Sequence, residues 1–325
     1  MKSNAQKFIV DKSRPIHVLR ESKSYGFCWA FFTWLKEHRP WFAKIFRHTI
    51  AESRELTPIN SASLFIPWFQ DPLKERDPYL FERITALEET YKRNGVPVIN
   101  PVQSLSNGIK SRALLKIHKA GTRTARCIKI RRTTPFKKIS DSLGLPFVVR
   151  NDLGHGGYME LVQTADDFLK LSWDQLSHPL AMEFIDTRCK DGHYRKYRYL
   201  LTGDRGITRH LVISDSWNVH MKNRLKGPQY IREELDCMQS ENPFHDTLNE
   251  LRKVLELDYV AFDYSVDNDG HLVVWEPNPH PSIWVPANSH PYYNYQKAHR
   301  DRIFIQILVF YLTMASLLKN HGQIS

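Results

Sequence analysis

Short apolar runs at residues 16–19, 63–68 and 96–100 read as strands, and residues 79–94 repeat their apolar positions with helical spacing. Strand, helix, Gly95 and a further strand make an α/β unit with parallel pairing. Residues 27–50 set Trp29, Phe31, Phe32, Trp34, Trp41, Phe42 and Phe46 among lysines and arginines, in a helical stretch that Pro40 should interrupt. A core or domain-interface helix is the reading there, ahead of a helix lying on a membrane surface.

Beyond residue 107 the rhythm changes. A helix over 110–119 closes at Gly121, and strands follow at 125–130, 146–150, 194–201 and 210–214. The clearest pattern lies near the C-terminus. Residues 259–266 and 271–278 are rich in aromatic and β-branched side chains, and Asp267-Asn268-Asp269-Gly270 between them is a turn signal, so the segment predicts a β-hairpin. Pairing Val266 with His271 sets Ala261 opposite Glu276, with Asp263 diagonal to it. Val260, Phe262, Tyr264, Val273 and Trp275 would then form the core face, leaving Asp263, Glu276 and Asn278 on the face open to water or a ligand. Residues 303–318 are apolar but short for a membrane span and contain Gln306 and Thr313, so a buried C-terminal helix is predicted.

Composition narrows the class only a little. A chain of 325 residues with 42% hydrophobic and 25% charged residues suits a soluble globular protein of one large or two modest domains. The cysteines, Cys28, Cys127, Cys189 and Cys237, are dispersed without metal-binding spacing, which predicts reduced thiols and a cytoplasmic protein. The start, MKSNAQKFIVDK, lacks the apolar run of a signal peptide.

Charge is more informative. The net charge of +11 resides in one stretch: residues 101–140 hold eleven lysines and arginines and no acid. Such a run reads first as a solvated basic face, and otherwise as a local field for an anionic partner: nucleotide phosphates, an acidic amino acid or peptide, or nucleic acid. The chain has no RNA-binding signature or Cys/His finger, so nucleic acid is the weakest of these.

Two carboxylates and an amide on one face suit Mg²⁺, which takes few protein ligands and completes its shell with water and nucleotide phosphates. A second element points to phosphate as well. The strand at 146–150 runs into Asn151-Asp152-Leu153-Gly154-His155-Gly156-Gly157-Tyr158, and glycines there let backbone N–H groups approach phosphate oxygens. This loop matches neither the Walker nor the Rossmann pattern.

The order of these pieces resembles the ATP-grasp superfamily, which includes D-alanine:D-alanine ligase and glutathione synthetase. The resemblance covers residues 107–325, preceded by a looser match of residues 1–106 to a small α/β pre-grasp domain. It implies an α+β fold in which two subdomains, hinged near 181–186, clasp ATP. Four motifs carry it: Asp263 followed thirteen positions later by Glu276-Pro277-Asn278; a hinge at Ala181-Met182-Glu183-Phe184-Ile185; Arg150 before the glycine loop with Gly156 and Gly157; and Lys110 at a helix start. By resemblance, Asp263, Glu276 and Asn278 would hold two Mg²⁺ ions bridged by Glu276. Glu183, Phe184 and Ile185 would meet adenine, and Lys110, Arg150, Arg198 and the glycines would meet phosphate.

The chain departs from the pattern at several positions. Arginine replaces the usual lysine at Arg150, and the two are not equivalent toward phosphate. Lys196 stands where related ligases carry an acid for ribose and cannot accept a hydroxyl bond, so Asp186 or Asp191 would have to substitute. Ala261 replaces the arginine that D-alanine ligases use for the developing oxyanion, which makes Arg209 the candidate for that role. Lys222 is expected to line the same cleft. The segments at 194–198, 210–214 and 217–220 look like a poorly characterised bacterial subgroup of grasp proteins, and this likeness supplies no substrate. The activity implied is an ATP-dependent, ADP-forming carboxylate–amine ligase working through an acyl phosphate. The alternatives are a phosphotransferase acting on a hydroxyl and a noncatalytic nucleotide-binding scaffold.

Overall fold

The computed structural model describes residues 13–22, 25–69, 71–154, 157–283 and 291–316. It forms two compact units, residues 1–103 with 280–325, and residues 104–279. The boundary thus differs from the expected 1–106 and 107–325, because the last helix, Lys297–Met314, packs into the first unit. Phe304 meets both Phe31 and Trp34, and Tyr311 meets Phe31, Phe46 and Trp68, so aromatic packing brings the C-terminal segment to the N-terminal one.

In the first unit, β1 (Ile16–Arg20) lies between β2 (Phe46–Ile50) and β3 (Leu64–Trp68), all parallel. Two expectations need correction. The aromatic stretch ends as a helix at His38, resumes for one turn at Pro40–Ala43, and its last five residues are strand β2. Proline ends the helix as anticipated, but the aromatic run continues into a pleated surface that also accepts Phe. Residues 96–100 form no strand beyond a bridge from Val98 to Phe65, since Pro97 offers a carbonyl but no N–H. His17 is fully buried at the sheet centre, with its ring nitrogens on Tyr91 Oη and Thr49 Oγ1 at 2.5 and 2.9 Å.

The second unit holds two four-stranded antiparallel sheets. One has the order β4 (Cys127–Lys129), β7 (Pro179–Glu183), β5 (Phe147–Asn151) and β6 (Met159–Val162). The other has the order β11 (Leu272–Pro279), β10 (Tyr259–Val266), β8 (Tyr194–Thr202) and β9 (Arg205–Ser214). Chain passes from the first sheet to the second between β7 and β8.

The hairpin register also differs from the expected one. Val266 pairs with Leu272, and a bulge at Trp275 then brings Asp263 directly opposite Glu276 and Ala261 opposite Asn278. An extra residue in one strand reverses which side chains share a face. Leu272 and Val274, rather than Val273 and Trp275, therefore join Val260, Phe262 and Tyr264 in the core behind the sheet. Val273 and Trp275 pack with Val148, Leu180 and Met182 of the facing sheet.

Candidate active site

A row of directly opposed residues crosses the second sheet: Glu276 on β11, Asp263 on β10, Arg198 on β8 and His210 on β9. Opposed residues in an antiparallel sheet project on the same face, so acid, acid, arginine and histidine stand side by side. Arg198 donates to both oxygens of Asp263, at 2.6 and 2.7 Å, and Asp263 is almost fully buried. Lys196 lies two residues away on the same face, as alternation anticipated. Burial lowers its pKa, while Asp263 and Glu276 act in the opposite direction.

Two cations meet Glu276. Arg150, on β5, approaches Glu276 Oε2 at 3.4 Å, and Lys110 Nζ reaches the same oxygen at 3.7 Å. Lys110 opens the helix Lys110–Lys119 and is buried, and its ammonium also donates to the Gly154 carbonyl at 2.7 Å. Asp152 holds this helix start in place, accepting from Ser111 N and Ser111 Oγ, each at 2.7 Å. It supplies the capping acceptor that the helix lacks in its own sequence. The structure therefore joins the lysine and the glycine-loop motif, which were separate in sequence. Gly157 has φ +91 and open space where a Cβ would project, while His155 and Gly156 lie outside the described residues.

Phe184 and Ile185 cluster with Val148, Met182 and Trp217, and the Phe184 and Trp217 rings meet edge to face at 5.8 Å. Glu183 is committed elsewhere through its side chain, since Oε2 accepts from the backbone N and from Nε of Arg126 at 3.2 and 3.0 Å.

Neither acid considered for ribose joins the site. Asp191 chelates Arg195, which also binds Glu233 of the helix Pro228–Gln239; Arg195 alternates with Lys196 and Arg198, so this network is on the opposite face of β8. The arginine pulls the Asp191 pKa down to about 2. Asp186 is exposed and accepts from Arg188 N in its own turn. Arg209 is the extra residue of a β9 bulge, buried next to His210, and Lys222 is exposed on the turn Met221–Asn223. Sequence reasoning missed three contributors: His210, the Trp217 wall and Asp152. Only the register of four strands could have located the first.

The basic stretch at 101–140 is largely dispersed by pairing. Lys110 enters the site, while Lys116, Arg123, Arg126, Lys129 and Lys137 meet Glu256, Asp267, Glu183, Asp152 and Asp141. Asp263, Glu276 and Asn278 fit a hard cation in their donor set: two carboxylates, and a buried amide whose Nδ2 finds no hydrogen-bond partner among the described residues. No described helix is long and apolar enough to cross a membrane.

No protein-family model matches the sequence, and no curated protein matches it significantly. Solved structures do. The ATP-grasp ligase PsnB, in complex with a phosphomimetic variant of its minimal precursor, Mg and ADP, gives a TM-score of 0.58 at 12% identity over 94% of this chain and 100% of that one. The macrocyclase MdnC from Microcystis aeruginosa MRC, bound with precursor peptide MdnA, gives 0.57 at 14% over 91% and 99%. D-alanine–D-alanine ligase from Bacillus anthracis gives 0.55 at 14% over 93% and 99%. With two antiparallel sheets and this agreement along nearly the whole chain, the protein has the α+β ATP-grasp fold.

Proposed function

We propose that the protein is an ATP- and Mg²⁺-dependent, ADP-forming ligase that joins a carboxylate to an amine through an acyl phosphate. The observation that carries this reading is the convergence of Lys110, Arg150 and Arg198 on the Asp263–Glu276 pair. Asp263, Glu276 and Asn278 would hold Mg²⁺, which when bound neutralises phosphate charge and orients the transferred group. Lys110 and the Gly154–Gly157 loop would cradle the phosphates, and Arg150 and Arg198 would offset the charge that develops during phosphoryl transfer. Phe184, Ile185 and Trp217 would take adenine by apolar contact. Arg209, buried beside His210, would meet an acyl oxyanion, since the Ala261 side chain offers no donor.

Incubation with ATP, Mg²⁺ and a panel of amino acids and peptides tests the reading by ADP release and product mass. The expected result is ADP release that depends on both a carboxylate and an amine. Stimulation by hydroxyl compounds alone, with a phosphorylated product, would make the protein a phosphotransferase. Failure to bind Mg-ATP in calorimetry would make it a scaffold.

A further inference from the structure

His210 ends the four-strand row on the edge strand β9, directly opposite Arg198. It is half-buried, projects on the face that carries Asp263 and Glu276, and forms no hydrogen bond among the described residues. Two strand spacings, about 10 Å, separate its strand from that of Asp263. This leaves room for a phosphoryl group and the carbonyl carbon attached to it. The other groups on this face are unsuited to removing a proton. Asp263 and Glu276 are engaged by Arg198, Arg150 and Lys110, Arg209 is a guanidinium, and Lys196 has both acids favouring its charged form against the effect of burial. His220 is exposed on the following loop, where its Nδ1 already accepts from Lys222 N at 3.2 Å.

We infer that His210 is the proton acceptor for the attacking amine, a role that rests on the ligase reading above. The uncharged amine nitrogen bonds to the acyl carbon, and the carbon–oxygen bond to phosphate breaks with its electron pair going to phosphate. One proton of the nitrogen passes to the imidazole and from there to water. Burial holds His210 well below the ordinary imidazole range, aided by Arg198 and Lys196 on β8, Arg209 beside it and Arg224 beyond the strand. Arg224 is itself paired with Glu234 of the helix packed behind β9. The ring is therefore neutral at physiological pH and available as an acceptor, and bound phosphates would raise its basicity toward the useful range.

Choice of nucleophile provides the test. Hydroxylamine is uncharged at neutral pH and far less basic than an alkyl amine, so after attack it loses its proton to water without help. His210→Asn and His210→Gln should lose about 10²- to 10⁴-fold in amide formation from alkyl amines, yet form hydroxamate within about threefold of the wild-type rate. Retained hydroxamate formation also reports an intact fold. Amide formation at the wild-type rate would overturn the assignment, as would an equal loss with both nucleophiles. If the wild-type protein forms neither product from any carboxylate, the ligase reading has failed and this assignment falls with it.

Discussion

Arg198 grips both oxygens of Asp263 from the adjacent strand, with the carboxylate 3% exposed. Each group compensates the other for loss of water. Arg198→Ala should therefore cost about 3 kcal/mol of stability by stranding a buried charge, whereas Arg198→Lys should recover only part of it because an ammonium cannot chelate. Urea unfolding measures both, and an unchanged midpoint in Arg198→Ala would show that the pair is solvated.

Glu276 meets Arg150 of the facing sheet and Lys110 at a helix start, and lies opposite Asp263. Glu276→Gln keeps the shape but removes the charge, and it should lower ATP turnover by about 10²-fold or more. ADP release with an unchanged melting curve checks this, and full turnover would remove Glu276 from the site.

The proposed adenine contacts predict where binding energy for the base resides. Phe184→Ala should weaken ATP about tenfold, within the range of about 1–3 kcal/mol for base stacking on an aromatic ring. Asp191→Asn should leave ATP affinity unchanged, since Asp191 is on the other face of β8 with Arg195. Calorimetric titration of both variants separates the two positions.

A pH effect follows from Glu88, which is buried in the first unit and accepts from Val102 N at 2.8 Å. Burial raises its pKa from 4.5 to about 7. The folded state then holds a proton that the unfolded state has released, so this group costs stability as pH rises from about 4.5 to about 7, up to about 3 kcal/mol. His17 has the opposite sign. Burial lowers its pKa to about 4, so its contribution is present above about 6.5 and is lost as pH falls toward about 4. Glu88→Gln should be more stable than wild type at pH 8 and show little difference at pH 4, by thermal unfolding across that range.

Much of this arrangement was readable before any coordinates. The helix Lys110–Lys119 announces itself through helical apolar spacing and Gly121, and the hairpin strands through β-branched and aromatic residues around an Asp-Asn-Asp-Gly turn. What could not be read is what depends on long-range pairing. Alternation assumes an unbroken pleat, and nothing at Trp275 or Arg209 marks the extra residue that each strand accommodates. The spatial neighbours Asp152 and Ser111 are 41 positions apart, and no local pattern marks their contact. The resemblance made Asp186 or Asp191 the ribose candidate, but the strand's own period sends Arg195, the partner of Asp191, to the other side.

The division of the chain has a consequence for the order in which the molecule can be made. Residues 104–279 are contiguous, so their sheets have all their strands once that stretch has emerged from the ribosome. The first unit does not. Phe31, Trp34, Phe46 and Trp68 are synthesised early, yet the rings of Phe304 and Tyr311 that cover them come last. During translation the N-terminal aromatic surface must therefore wait, exposed to chaperones and to other nascent chains, until the final helix arrives to close it.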